Sequence, residues 1–81
     1  NDNFTKGTLS VYPNPVKDVL NISYFKNITN VEVYNLLGQK MLQKTINESS
    51  GVLNMESLAT GAYVVKIYAE GQAQSIKVMK Q

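Results

Sequence analysis

The side chains able to support acid–base, nucleophilic or metal chemistry are few in this chain and widely separated. Its acids are Asp2, Asp18, Glu32, Glu48, Glu56 and Glu70, and it contains no histidine or cysteine. A covalent hydrolase pairs a nucleophile with a base, and zinc is usually held by imidazole or thiolate; neither arrangement has candidates here. Calcium would need carboxylates gathered by folding, because no EF-hand loop or dense aspartate run is present. No catalytic residue, metal ligand or cofactor site is therefore expected. The five tyrosines, Tyr12, Tyr24, Tyr34, Tyr63 and Tyr68, offer rings that could stack on a sugar. Spread over several strands, they fit half-buried sheet positions better. Asn-x-Ser/Thr triplets at Asn3, Asn21, Asn27 and Asn47 are chance products of a chain rich in asparagine and serine.

The charge pattern narrows the partners. Eight lysines and no arginine stand against six acids, for a net charge of +2, and the lysines are scattered from Lys6 to Lys80. Nucleic-acid binding draws on clustered basic residues with arginine prominent, which argues against that role. No apolar run approaches the roughly 20 residues of a membrane-spanning helix, so no membrane insertion is expected. At 81 residues, with 43% hydrophobic and 17% charged side chains, the chain has the material for one small folded domain. It begins at Asn1 and shows no secretory leader, which reads as part of a longer, processed protein.

The elements that must position these residues are strands. Apolar residues recur with a period near two, the spacing that puts them on one face of a sheet. Leu9 and Val11 open a first strand, which Pro13 and Pro15 end by removing backbone donors. Val19 to Tyr24 and Val31 to Val33 give the second and third, Gln39 to Ile46 a fourth, and Gly51 to Leu53 a short fifth. Ala62 to Ala69, a turn at Glu70-Gly71-Gln72, and Ala73 to Lys80 form a closing hairpin. Many short strands at such spacing predict an all-β sandwich or barrel. Leu20, Ile22, Val31, Val33, Tyr63, Val65, Ile67, Ile76 and Val78 are expected inside. Gly38 and Gly61 are expected at turns with positive φ. Residues 1–7, polar and ending in glycine, read as the last part of a linker from an upstream domain.

Three motifs stand out: Tyr12-Pro13-Asn14-Pro15, Leu36-Leu37-Gly38-Gln39-Lys40 within a longer stretch from Val31 to Met41, and Leu58-x-x-Gly61-x-Tyr63. Taken singly they are a strand-ending corner, a tight hairpin and a loop packed on the core. In this order, followed by a final strand carrying lysine, they resemble the type A C-terminal signal domain of the bacterial type IX secretion system, found on secreted proteins of Bacteroidetes. The resemblance covers residues 8–81. Asn54 and Met55 stand where such domains typically show aspartate and leucine.

That resemblance implies an immunoglobulin-like β-sandwich of about seven short, mainly antiparallel strands. It implies a non-catalytic sorting signal at the end of a folded cargo protein, which crosses the periplasm and is sent through the outer membrane to the cell surface or beyond. The partners it implies are an outer-membrane carrier, a sortase-like peptidase that removes the domain, and the covalently linked upstream cargo. From the motif positions, the candidate recognition residues are Tyr12, Pro13, Asn14, Pro15, Gly38, Gly61, Tyr63, Lys77 and Lys80, with both lysines taken as exposed. The alternative is an immunoglobulin-like adhesion, carbohydrate-binding or spacer module of a cell-surface protein. The two differ in position, because a sorting signal must be the last domain of its precursor.

Overall fold

A computed structural model describes residues 4–6, 9–13 and 15–81, with side chains described from Leu9 onward. Among these residues there are six strands: β1 (Phe4–Lys6), β2 (Leu9–Tyr12), β3 (Val19–Tyr34), β4 (Lys40–Asn54), β5 (Gly61–Ala69) and β6 (Gln72–Lys80). The all-β class read from the sequence holds. All six strands belong to one sheet, ordered β1-β2-β3-β5-β6, with β4 on the other side of β3. Every strand pairing is antiparallel.

The sheet curls because β3 serves two sets of neighbours. Its first half pairs with β2, through Ser10↔Ser23 to Tyr12↔Asn21. Its second half pairs with β5, through Ile28↔Ala69 to Tyr34↔Val64. β4 follows β3 along both halves. Between them β3 is bulged: it advances from Ser23 to Ile28 while β4 moves only from Ser50 to Glu48. Extra residues of this kind bend a strand and increase its twist.

The bulges correct the expected strand count. The second and third expected strands are one continuous β3, and the fourth and fifth are one continuous β4, so the strands are fewer and two of them are long. The reason lies in parity. Leu20, Ile22 and Ile28 face the core at even positions, and Val31 and Val33 at odd ones. The phase changes at Thr29, which is the extra residue between Ile28↔Ala69 and Asn30↔Tyr68. A period-two pattern read from sequence breaks wherever such a residue intrudes. In β4, Ile46 and Asn47 fall between the pairs Ile28↔Glu48 and Asn30↔Thr45, and Asn47 takes a φ of 56°, a conformation that asparagine tolerates better than most residues.

The core lies on the inner face of the curl and gathers residues from both halves, including Leu9, Val11, Leu20, Ile28, Val31, Met55, Val65 and Val78. All nine residues expected inside are buried there. Their removal from water is the main stabilising term available to a domain without disulfides. Ile46 packs over Gly51 from the same strand, its Cδ1 2.8 Å from where a glycine Cβ would lie.

Candidate recognition surface

The strand-ending corner does more than stop β2. Tyr12 pairs with Asn21, whose side-chain amide donates to the Tyr12 carbonyl at 3.4 Å, and the tyrosine side chain is 39% exposed. The Tyr12–Pro13 peptide is cis, Pro13 is half-buried and Pro15 is exposed; Asn14 lies outside the described residues. Beyond the corner, Val16 is fully buried and forms a parallel bridge with Lys80. Its amide donates to the Met79 carbonyl at 2.7 Å, and its carbonyl accepts from the Gln81 amide at 2.8 Å. The proline segment thus fastens the end of the final strand.

That arrangement corrects one reading of the terminal lysines. Lys77 is exposed, but Lys80 is only 7% exposed. Lys80 is in phase with Ile76 and Val78, so alternation turns its aliphatic stem to the inner face. Its ammonium donates to the Gln81 main-chain oxygen at 2.9 Å. Across the ladder Lys80 pairs with Gly61, whose φ is 155°. Tyr63 is buried with the core, and its hydroxyl donates to the Ala59 carbonyl at 2.7 Å. It secures the loop from Leu58 to Gly61 and is not presented to a partner.

The β3–β4 hairpin is organised by a residue that the motifs did not single out. The Asn35 side-chain oxygen accepts from the amides of Leu37 at 2.9 Å and Gln39 at 3.0 Å, and its amide donates to Gln39 Oε1 at 2.9 Å. The Gly38 amide donates to the Asn35 carbonyl at 3.0 Å, with Gly38 at φ 86°. An asparagine bonding to backbone two residues on is a known turn former. The Asn before Leu-Leu-Gly was therefore a readable signal. Held this way, Leu36 and Leu37 project at the tip, 66% and 85% exposed.

Beside the tip, the outer face of the sheet carries a polar network. Glu32 accepts from the hydroxyls of Tyr34 at 2.6 Å and Tyr68 at 3.0 Å, and from the Lys40 ammonium at 3.3 Å. These bonds, with the Tyr34 hydroxyl foremost, hold the Glu32 carboxyl below its ordinary range. The same carboxylate pushes Tyr34 up to about 12. Lys66 sits over the Tyr34 ring, 5.6 Å from its centre. Next to this network is an open cleft of about 430 Å³ lined by Tyr34, Asn35, Leu36, Gly38, Val64 and Lys66. Among the described residues no three acidic side chains come together.

The ladder brings several expected recognition residues to one end of the sheet. Gly61 pairs with Lys80, Lys77 with Val64, and Val64 with Tyr34, which leads into the Gly38 turn. Tyr12 stands apart from them, beside a smaller cleft with Asn21, Ser23 and Ser50. Glu32, Tyr34, Asn35, Leu36, Leu37 and Lys66 belong to the same end as Gly38 and were not anticipated as site residues.

Residues 10–81 match the model of a family described as the secretion system C-terminal sorting domain. An ulvan lyase of Nonlabens ulvanivorans is 37% identical over 65 residues, which is 76% of this chain and 12% of the lyase. β-Agarase D of Zobellia galactanivorans is 38% identical over 72 residues, 88% of this chain and 14% of the agarase. The chain thus spans a small fraction of the length of these relatives. Among solved structures, PorZ of Porphyromonas gingivalis, described as an essential bacterial surface component of the type-IX secretion system, superposes over 90% of this chain and 11% of PorZ. Its TM-score is 0.72 at 20% identity, which is a likeness of fold.

Proposed function

Because this chain belongs to the family of secretion-system C-terminal sorting domains, we propose that it is the address at the tail of a larger cargo protein, a non-catalytic ligand of the export machinery. The carrying observation is the extent of the family match, which runs from β2 through the end of β6 and leaves out only β1 among the strands. As a type IX sorting domain it serves export to the cell surface or the extracellular space. The two enzymes similar to it are much longer than the matched region, as expected of a module attached to different cargoes.

The finer steps are part of the same proposal. The cargo folds in the periplasm, an outer-membrane carrier takes hold of residues 8–81, and a sortase-like peptidase removes them after passage. Residues 1–7 bring the chain in from the cargo domain, with Phe4–Lys6 of this stretch already paired to β2 as β1 of the sheet. The Tyr12–Pro15 corner, the turns at Gly38 and Gly61, and the final strand with Lys77 shape the surface that is recognised; Lys80 and Tyr63 support it from inside.

The test is a fusion of residues 1–81 behind a periplasmic reporter, in a bacterium with a working type IX system. The expected outcome is reporter outside the cell, shortened by the mass of the sorting domain. A reporter retained in the periplasm, while a known sorting domain exports the same reporter, would overturn the proposal and favour a surface adhesion or spacer module.

A further inference from the structure

The end of the sheet around the β3–β4 hairpin carries chemistry that the fold itself does not use. Isolated exposed aliphatic side chains are ordinary on proteins. Here Leu36 lines an open cleft that continues apolar surface over Val64 and the Tyr34 ring, and its neighbour Leu37 extends that surface at the exposed tip of the hairpin. The bonds from Asn35 hold the loop in place before any partner arrives, so little ordering remains to be done on binding.

The charge around the patch states what would cover it. Lys40 pairs with Tyr34, Lys66 with Glu32 and Lys77 with Val64, placing three lysines on the outward rows. Glu32 is the acid among these rows, and its carboxylate is already engaged by Tyr34, Tyr68 and Lys40. Glu32 thus offsets Lys40, and the cation left in the cleft lining is Lys66, above the Tyr34 ring, to which a complementary carboxylate would be drawn and by which it would be oriented.

We propose that the Leu36–Leu37 tip and the cleft beside it dock an acidic segment of a protein of the export machinery, which lays an aliphatic or aromatic side chain against the leucines and a carboxylate against Lys66. This rests on the sorting-domain reading above. A second copy of this chain is a poor occupant, because it would bring lysines to lysines. The upstream cargo is a poor occupant as well, since its surface differs from one protein to the next.

The test uses the full chain fused behind two unrelated reporters. Combined Leu36→Ser and Leu37→Ser should lower the exported fraction by about tenfold or more, the scale of losing one central contact in an interface. Lys66→Glu should lower it severalfold, and Phe25→Ser, at an exposed apolar position on β3 that lines neither cleft, should leave it unchanged. Unfolding midpoints of the purified fusions separate lost docking from lost folding. Should the leucine variant prove less stable, a photo-crosslinking side chain at Leu37 in the otherwise unaltered fusion decides. It is expected to capture one machinery protein during export, where the same group at Thr45 captures none. Unchanged export by a folded leucine variant, no capture at Leu37, capture of a second copy, or a defect confined to one reporter each overturns the docking proposal. Failure of the unaltered fusion to leave the cell instead overturns the sorting reading, and this proposal with it.

Discussion

Gly38 and Gly61 show what a single residue fixes in this molecule. At φ values of 86° and 155°, with nothing within 4 Å of where a Cβ would lie, alanine would meet no neighbour. Its cost is purely conformational. Gly38→Ala and Gly61→Ala should each lower stability by about 1–2 kcal/mol, read as a shift of the urea midpoint at constant slope; an unchanged midpoint would contradict the turn geometry. The Glu32–Tyr34 pair makes a second residue-scale prediction. The Glu32 carboxyl titrates below its ordinary value, so its contribution is complete above the usual carboxylate pKa and is lost as pH falls through the lowered one. Tyr34 is raised from 10 to about 12, so the part of stability tied to its neutral hydroxyl is complete below 10 and is lost between 10 and about 12. Glu32→Gln should flatten the acid limb of stability against pH, and Tyr34→Phe the alkaline limb. Limbs identical to the parent's would mean that the network carries no linkage. The glycine turns were legible because few other residues suit such backbones. The network was less so: Glu32 and Tyr34 share a face by simple alternation, but Tyr68 and Lys40 join them only through the register of β5 and β4.

At the scale of elements, the final strand is held by β5 along its length and, at its end, by the proline corner as well. The buried Val16 bonds to both sides of Lys80 along the chain, and Lys80 itself packs inward. Lys80→Ser, which deletes the stem, should therefore cost about 1–2 kcal/mol, whereas Lys77→Ser at the exposed neighbouring phase should stay within about 0.5 kcal/mol. Lys80→Met should recover most of the loss, because the stem matters more than its charge. Thermal or urea unfolding of the three variants checks the order, and equal losses at positions 77 and 80 would contradict it. Alternation alone predicted the inward residues of this strand and could have flagged Lys80, which is in phase with Ile76 and Val78. Its lysine identity pointed the other way. Strand existence was readable from Leu9 onward but not at β1, where Phe4–Lys6 pair with β2 in a polar stretch that read as linker. Strand continuity through β3 and β4 was not, because Thr29 and the Ile46–Asn47 pair shift the phase and make one bent strand look like two.

For the whole molecule, curling one sheet around a single core leaves the outer face free to be read by others. The order of three short motifs carried the functional identity, while the docking patch is a product of the ladder, which sets Val64 and Lys66 beside a hairpin nearly thirty residues earlier in the chain. Export is the property on which the account stands or falls. The most direct measurement is the ratio of reporter outside the cell to reporter in the periplasm for a fusion ending in residues 1–81, in two strains that differ only in the type IX translocon. A high ratio with the translocon and reporter held in the periplasm without it is the result predicted. The same ratio in both strains would contradict the central claim.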